Sequence, residues 1–290
     1  MILYILPLFL ITIISCSKDK ETIDEDKLEC YSMGGTENQL KSILSIHTNP
    51  FNSSVDSLKD CYNYNSQNQL QSINFPTHKI IYNYDQDGNI INYNFEQNGQ
   101  IEHGKSYTYD SLQRLIKYST PSNEVSLTYQ SNSIITTGLS IQGSAVMEVE
   151  INNDGRITKI EYEHGGYLIF QYDQNQNIVS SEYFSENDLV QNRFEYFYDT
   201  STNPFFGLLD SIYLERFFNL IDRYGYILKW DASFPYLSNN ITSISAWNIN
   251  TGNTLVLSAI YEYNNINMPV YMQSTIISND NGVIDSFLNY

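Results

Sequence analysis

The chain has 290 residues, with 33 acidic against 15 basic side chains and a formal net charge of −18. An acidic surface of this kind excludes nucleic acid and anionic lipid headgroups as electrostatically attracted partners. Tyrosine is the outlier, at 25 residues. Aromatic side chains suit pleated, half-buried strands better than helices, so composition points to an all-β fold.

Residues 1–15 read MILYILPLFLITIIS, an apolar run without charge. It is shorter than the ~20 residues that a membrane-crossing helix needs. It fits the apolar core of a secretory signal peptide. The segment Ile13-Ile14-Ser15-Cys16 resembles the lipobox of bacterial lipoproteins. That resemblance implies cleavage before Cys16 and a thioether-linked diacylglycerol on its sulfur. The partner so implied is a membrane, reached through the N-terminal lipid.

Residues 16–30 form the lipidated end and a tether, because their acidic, aromatic-poor composition cannot bury enough surface to fold. Asp19, Glu21, Asp24, Glu25 and Asp26 resemble the acidic export stretch of Bacteroidota lipoproteins. The resemblance implies an outer-membrane lipoprotein, periplasmic or surface-exposed, with the surface favoured. Cys30 and Cys61 remain. Export to an oxidising compartment favours one Cys30–Cys61 bridge over two buried thiols.

Past the tether a unit recurs. Tyr82-Asn83-Tyr84-Asp85 leads through Gln86-Asp87-Gly88-Asn89 to Ile90. Tyr107-Thr108-Tyr109-Asp110 leads to Leu115, Phe170-Gln171-Tyr172-Asp173 to Ile178, and Tyr62-Asn63-Tyr64-Asn65 to Leu70. A divergent copy is Val149-Glu150-Ile151-Asn152 with Asp154-Gly155. Weaker copies start at Tyr196 and Tyr261. Aromatic-x-aromatic puts both rings on one strand face. The following Asp or Asn accepts hydrogen bonds from turn amides. Each unit therefore reads as a hairpin. The apolar residue after the turn and the next aromatic differ in parity, which predicts a bulge beside the turn.

These units resemble the YD repeat of Rhs-type proteins. They resemble more closely those of small Bacteroidota lipoproteins with YD-like hairpins. There a Tyr-Asp, an Asn-Pro-Phe stretch, an Asn-Asn stretch and a late Tyr-x-Tyr-Asn recur, here Tyr198-Asp199, Asn203-Pro204-Phe205, Asn239-Asn240 and Tyr261-Glu262-Tyr263-Asn264. The resemblance implies architecture and anchoring, and no activity.

Between Phe205 and Trp230 the repeat breaks. Leu209, Ile212, Leu214, Phe217, Phe218, Leu220 and Ile221 recur at three- and four-residue spacing. That spacing predicts one short helix around residues 208–222, capping an end or a face of the sheet. The expected fold is an antiparallel meander of YD-like hairpins forming a large twisted or curved sheet, in a single domain over residues 31–290.

Candidate chemistry is thin. Asp85-x-Asp87-x-Asn89 counts like a calcium loop, but its glycine falls two positions early and its flanks read as strands. His47, His78, His103 and His164 lack a second ligand at metal spacing, so neither a metal nor a cofactor is expected. Glu161 and Glu163 share a strand face, as solvent-facing carboxylates do. Tyr224, Tyr226, Trp230 and Trp247 lie where the repeat lapses and form the candidate ligand-stacking surface. The expected role is a non-enzymatic binding or structural module at the cell envelope, meeting a glycan or an envelope protein. The alternatives are carbohydrate binding or glycan processing, and a degenerate Rhs-type fragment.

Overall fold

The computed structural model describes residues 30, 36, 39–48, 55–227, 237–250, 252–276 and 283–290. Lipidation at Cys16, the tether before Cys30 and the side chain of Trp230 lie outside the described residues.

Nineteen strands are present among them. The first nine are β1 (Ser42–Thr48), β2 (Val55–Tyr64), β3 (Leu70–Asn74), β4 (Lys79–Tyr84), β5 (Ile90–Gln97), β6 (Gln100–Tyr109), β7 (Leu115–Ser119), β8 (Glu124–Tyr129) and β9 (Ser133–Thr137). Next come β10 (Ser140–Ile141), β11 (Ser144–Ile151), β12 (Ile157–Tyr162), β13 (Tyr167–Tyr172), β14 (Ile178–Phe184) and β15 (Val190–Thr202). After the helical segment follow β16 (Asn239–Asn248), β17 (Gly252–Tyr263), β18 (Pro269–Ile276) and β19 (Val283–Asn289). Every pairing is antiparallel between chain neighbours, with two exceptions. β9 pairs β11 past the small β10 hairpin, and β1 pairs β19, Ser42 opposite Asn289 through Thr48 opposite Val283.

Those two pairings close the meander into an 18-stranded barrel with one short helix. The expectation of an open, twisted or curved sheet is corrected. Hairpins were readable, but nothing local shows that the last strand returns to the first. Closure leaves no unpaired edge at β1 or β19.

The repeat builds its turns as the residue types demand. Asp85 Oδ1 accepts from the amides of Asp87 and Asn89, each at 2.9 Å, and Asn89 Nδ2 donates to Asp85 Oδ2 at 3.2 Å. Burial raises the Asp85 pKa, but the Asn89, Asp87 and Gly88 donors outweigh it and hold the carboxyl below its ordinary value. The would-be calcium ligands are thus committed to a turn. Asn152 and Asp173 make the same clasps.

The predicted bulge is present beside these turns. Asn83 faces Asn92, yet Tyr84 faces Ile90, leaving Ile91 as the extra residue. The same shift occurs at Tyr64, Tyr109, Tyr172 and Tyr263. The bulge lets the post-turn residue and the aromatics face inward together. Leu70, Ile90, Leu115, Ile157 and Ile178 are buried, as are Tyr62, Tyr82, Tyr107 and Phe170. Outward positions run mainly to polar residues, including Asn92, Asn94, Glu96, Glu148, Glu150, Lys159, Glu161, Glu182, Arg193 and Glu195. Ion pairs Lys117–Glu124, Lys159–Glu150, Lys159–Glu161 and Arg193–Glu182 cross this outer face.

The second tyrosine of each unit has a further task. Its hydroxyl donates to the backbone carbonyl of the apolar residue after the preceding turn. Tyr84 donates to Leu70 O at 2.6 Å, Tyr109 to Ile90 O at 2.8 Å, Tyr172 to Ile157 O at 2.7 Å and Tyr198 to Ile178 O at 2.7 Å. Tyr64 to Leu40 O and Tyr290 to Pro269 O continue the series, while in the unit at Tyr261 the first tyrosine makes the bond, to Ile241 O.

Tyr109→Phe removes one such donor and strands the Ile90 carbonyl, a loss of about 1–3 kcal/mol. Thermal unfolding by circular dichroism should drop by several degrees. Tyr167→Phe, which loses only an exposed bond to Asp188, should hardly move it. Equal shifts in the two variants would remove the special role of the repeat tyrosine.

Tyrosines packed inside the barrel also set an alkaline limit. Burial pushes the phenols of Tyr64, Tyr82 and Tyr129 up from 10.0 to about 12. Their ordinary value holds in the unfolded chain, so between pH 10 and 12 the folded state keeps protons that the unfolded state has released. This contribution to stability is full below pH 10 and is lost as pH rises through 12. Tyrosinate absorbance should therefore rise together with loss of the barrel's circular dichroism above pH 10. Ionisation of these phenols well ahead of unfolding would contradict the assignment.

Candidate binding cavity in the barrel interior

Between β15 and β16 the chain leaves the wall and enters the lumen. The excursion is an insertion into a repeat turn. Tyr198 still faces Ile241, as Tyr84 faces Ile90. Asp199 Oδ1 accepts from the Ser201 amide at 2.9 Å and the Asn240 amide at 3.2 Å, and Asn240 Nδ2 donates to Asp199 Oδ2 at 3.2 Å. Asp199 and Asn240 thus repeat the clasp of Asp85 and Asn89 across some forty residues of chain. Tyr263 adds a hydroxyl bond to Asp199. Burial raises the Asp199 pKa against the lowering effect of these donors.

Inside the insertion a 3-10 turn, Asp210–Ile212, runs into helix α1, Tyr213–Leu220. The helix is where the spacing of Leu209 to Ile221 predicted it, but shorter, and it fills the barrel instead of capping an end or a face. Tyr213, Leu214, Glu215, Phe217, Phe218 and Leu220 are all buried, so the apolar face of this amphipathic helix and the carboxylate of Glu215 both meet the barrel interior.

Opposite walls hold this plug. The Ile90 amide donates to Ser211 Oγ at 3.1 Å and the Ile157 amide to the Tyr213 hydroxyl at 3.2 Å. The Phe170 and Phe217 rings meet edge to face at 5.2 Å, and the Arg156 guanidinium lies 4.9 Å above Tyr213. Glu215, 1 % exposed, pairs with Lys105 and receives hydrogen bonds from the Tyr107 hydroxyl at 3.3 Å and from Asn219 Nδ2. Desolvation first, and the Glu215 charge second, drive the Tyr107 phenol far above its ordinary value.

The plug ends in a hairpin turn of its own. Asp222-Arg223-Tyr224-Gly225-Tyr226-Ile227 carries the repeat's Asp-x-x-Gly-x-Ile spacing, and Ile221 bridges Ile227. Asp222 Oδ1 accepts from the Tyr224 and Tyr226 amides, each at 2.8 Å. Gly225 has φ +93, and an added Cβ would lie 3.0 Å from Leu168 Cδ2, so only glycine fits. Its carbonyl accepts from Ser181 Oγ at 2.6 Å and from the Tyr196 hydroxyl at 3.1 Å. The spacing was visible in the sequence, but a turn inside a barrel was not.

Residues Tyr224, Tyr226 and Trp247 do not converge. Tyr224 packs on Tyr183 with the Arg223 guanidinium 4.6 Å from its ring, and Tyr226 packs on Phe194. Both belong to the plug. Trp247 faces Arg193 across β15 and β16, on the outer surface. There it borders a shallow depression of about 480 Å³ with Val190, Arg193 and Glu195. Cys30 and Cys61 are joined in a disulfide, with Cα atoms 5.5 Å apart. Among the described residues no three His, Cys, Asp or Glu side chains are grouped to hold a metal.

Among the described residues the plug leaves part of the lumen open. A cavity of about 250 Å³ lies between it and the inward faces of β1–β4 and β16–β19. Ile43, Ile73, Ile80, Phe205, Leu208, Met272 and Leu288 make it apolar. Asp60, Arg216, Ser45 and Ser286 set polar groups into that wall, and the two serine hydroxyls lie 3.2 Å apart. An apolar pocket with few convergent polar groups is the usual form of a small-molecule site. Sequence reasoning missed these residues, because only closure brings β1, β2 and β19 together.

Lys105→Met leaves Glu215 buried without its cation, a loss of about 3–5 kcal/mol. Combining it with Glu215→Gln should recover part of that loss in thermal or denaturant unfolding. Additive losses in the double variant would show that the pair does not hold the plug.

No protein-family model matches the chain, and no curated protein matches it in sequence. Solved structures overlap it loosely. A porin-like protein from Bacteroides uniformis shares 10% identity, over 86% of this chain and 97% of that one, with a TM-score of 0.33. The Tc holotoxin pore of Photorhabdus luminescens shares 7% identity over 83% of this chain and 15% of that one, with a TM-score of 0.22. A domain described as an outer membrane lipoprotein-sorting protein, from Vibrio parahaemolyticus, shares 7% identity over 87% and 83% of the two chains, with a TM-score of 0.22.

Proposed function

We propose that this protein is a lipid-anchored, non-enzymatic binding module of the bacterial cell envelope. The observation that carries the reading is the polarity of the barrel. A barrel that spans a membrane turns an apolar band outward and a polar lumen inward. This one does the reverse, with ion pairs outside and an apolar, helix-plugged interior. Such a barrel presents a rigid body to water and does not conduct across a bilayer.

Anchoring rests on Cys16 and its lipobox-like context. The Cys30–Cys61 disulfide supports it by clasping the tether to β2. Fourteen steps separate Cys16 from Cys30 (30 − 16), so the barrel can stand at most about 50 Å from the lipid at ~3.3–3.6 Å per residue. The likeness to small Bacteroidota lipoproteins with YD-like hairpins favours the outer membrane and its outer face. The half-buried carboxylates of Asp199 and Asp222 point away from catalysis, since each spends its Oδ1 on turn amides.

A second reading, glycan binding, is favoured by Trp247. Its outward indole beside Arg193 and Glu195 offers a flat apolar face with polar edges.

Cell fractionation tests the first reading. The wild-type chain should partition with membranes and show a diacylglyceryl-modified Cys16 by mass spectrometry, while Cys16→Ser should appear in the soluble fraction with unchanged circular dichroism. A wild-type chain recovered soluble, with Met1 intact, overturns the anchor. Turnover of any substrate that one fold-preserving point variant abolishes overturns the non-enzymatic assignment.

A further inference from the structure

We propose that the lumen cavity is a binding site for a medium-length alkyl chain carrying a neutral hydrogen-bonding head. This deepens the binding reading above and rests on it. The volume sets the length. About 250 Å³ is roughly eight water-sized volumes at ~30 Å³ each. A methylene occupies a similar space, so a chain of about eight carbons fills the cavity.

The wall sets the chemistry. Ile43, Ile73, Ile80, Phe205, Met272 and Leu288 offer contact to hydrocarbon. Water gains few partners along such a wall, whereas each buried methylene gains about 0.8 kcal/mol. The head is set by the charged groups at the lining. Asp60 contributes one negative charge and Arg216 one positive charge, so the lining has no net charge. A carboxylate head would shed its hydration against a wall with no net positive charge to offset that cost, whereas an alcohol, ester or amide needs only hydrogen bonds. Ser45 and Ser286, bonded to each other on neighbouring strands, supply hydroxyls at the wall shared by β1 and β19.

The plug makes the site specific to this barrel. Phe205 and Leu208 reach the cavity because the insertion leaves the wall at Asn203, where Asn203 N donates to Ser238 O and Asn203 Oδ1 accepts from the Phe205 amide. One face of the cavity is therefore plug and the other faces are strand. A ligand there touches both and stabilises the docked arrangement by mass action.

The full chain bearing Cys16→Ser, so that its own lipid does not compete, is titrated with straight-chain primary alcohols from hexanol to dodecanol by calorimetry, with thermal unfolding in parallel. Affinity should rise about fourfold per added methylene up to octanol or nonanol and then stop rising. Octanoate should bind at least several-fold more weakly than octanol. Ser286→Leu, which fills the cavity from β19, should abolish binding. Leu208→Trp should do the same from the plug side, and either variant is read only where its circular dichroism matches the parent. Three results overturn the site: no saturable binding, affinity that keeps rising to dodecanol and ignores both variants, or octanoate binding as tightly as octanol. None of them touches the membrane partition of the wild-type chain, so failure of the cavity and failure of the anchor are read separately.

Discussion

The fold depends on a phenol reaching from one hairpin to the carbonyl of the hairpin before it. Within a hairpin the ladder runs to the turn; between hairpins it stops short of it. β4 and β5 share six registered pairs, but β3 and β4 share only three, ending at Ser72 opposite Ile81. Toward the turns the neighbouring hairpins part. The Leu70 carbonyl is left beside the bulge without a strand partner on that side, and a buried carbonyl must be satisfied. Tyr84 satisfies it across the gap. The bond spans two units, so it fixes the angle at which each hairpin follows the last. Repeated around the sheet, it also joins the ends, with Tyr64 bonded to Leu40 and Tyr290 to Pro269 on either side of the β1–β19 seam.

Eighteen strands enclose more space than their inward side chains can fill, whereas about eight strands enclose a lumen that side chains do fill. The chain solves this with material delivered through one of its own turns. The turn that opens at Tyr198-Asp199 closes at Asn240-Ile241 with its clasp intact, so the wall registers no interruption. The insertion binds to the wall at positions the repeat prepares. Ile90 and Ile157 follow turns and bulges, and their amides donate to Ser211 and Tyr213 of the plug. Repeat and plug therefore share one device. The residue after the turn gives its carbonyl to a tyrosine of the next hairpin and, at these two sites, its amide to the plug.

What the sequence shows follows from the range of the forces involved. Asp85, Asn152 and Asp173 act over four residues, so their turns were legible from spacing alone. The bulge was legible from parity, and the helix from the spacing of Leu214, Phe217, Phe218 and Ile221. Closure was not, because the pairing of Ser42 with Asn289 is carried by backbone groups that every residue has. The helix's destination was misread for a related reason. Amphipathic spacing says that one face is buried, but Tyr213 and Glu215 on the remaining face find their wall partners on strands far away in the chain. Tyr224, Tyr226, Trp230 and Trp247 share the stretch where the repeat lapses, but the barrel wall separates the two tyrosines from Trp247. Asp60, Ser45 and Ser286 had no signal at all, since their shared lining exists only after closure.

The incomplete filling of the lumen follows from how the plug is built. It is pinned by β5 and β6 on one side and by β12, β13 and β14 on the other. The sector under β1–β4 and β16–β19 is met mainly by Phe205, Leu208, Leu209 and Arg216. Closing it would take little: larger side chains at Ser45 and Ser286, which lie side by side on β1 and β19. Those positions instead hold two small hydroxyls, with one acid and one base set into the same apolar wall. Space that two larger side chains could take up, lined by those hydroxyls with one acid and one base, is the physical ground on which the proposed alkyl site rests.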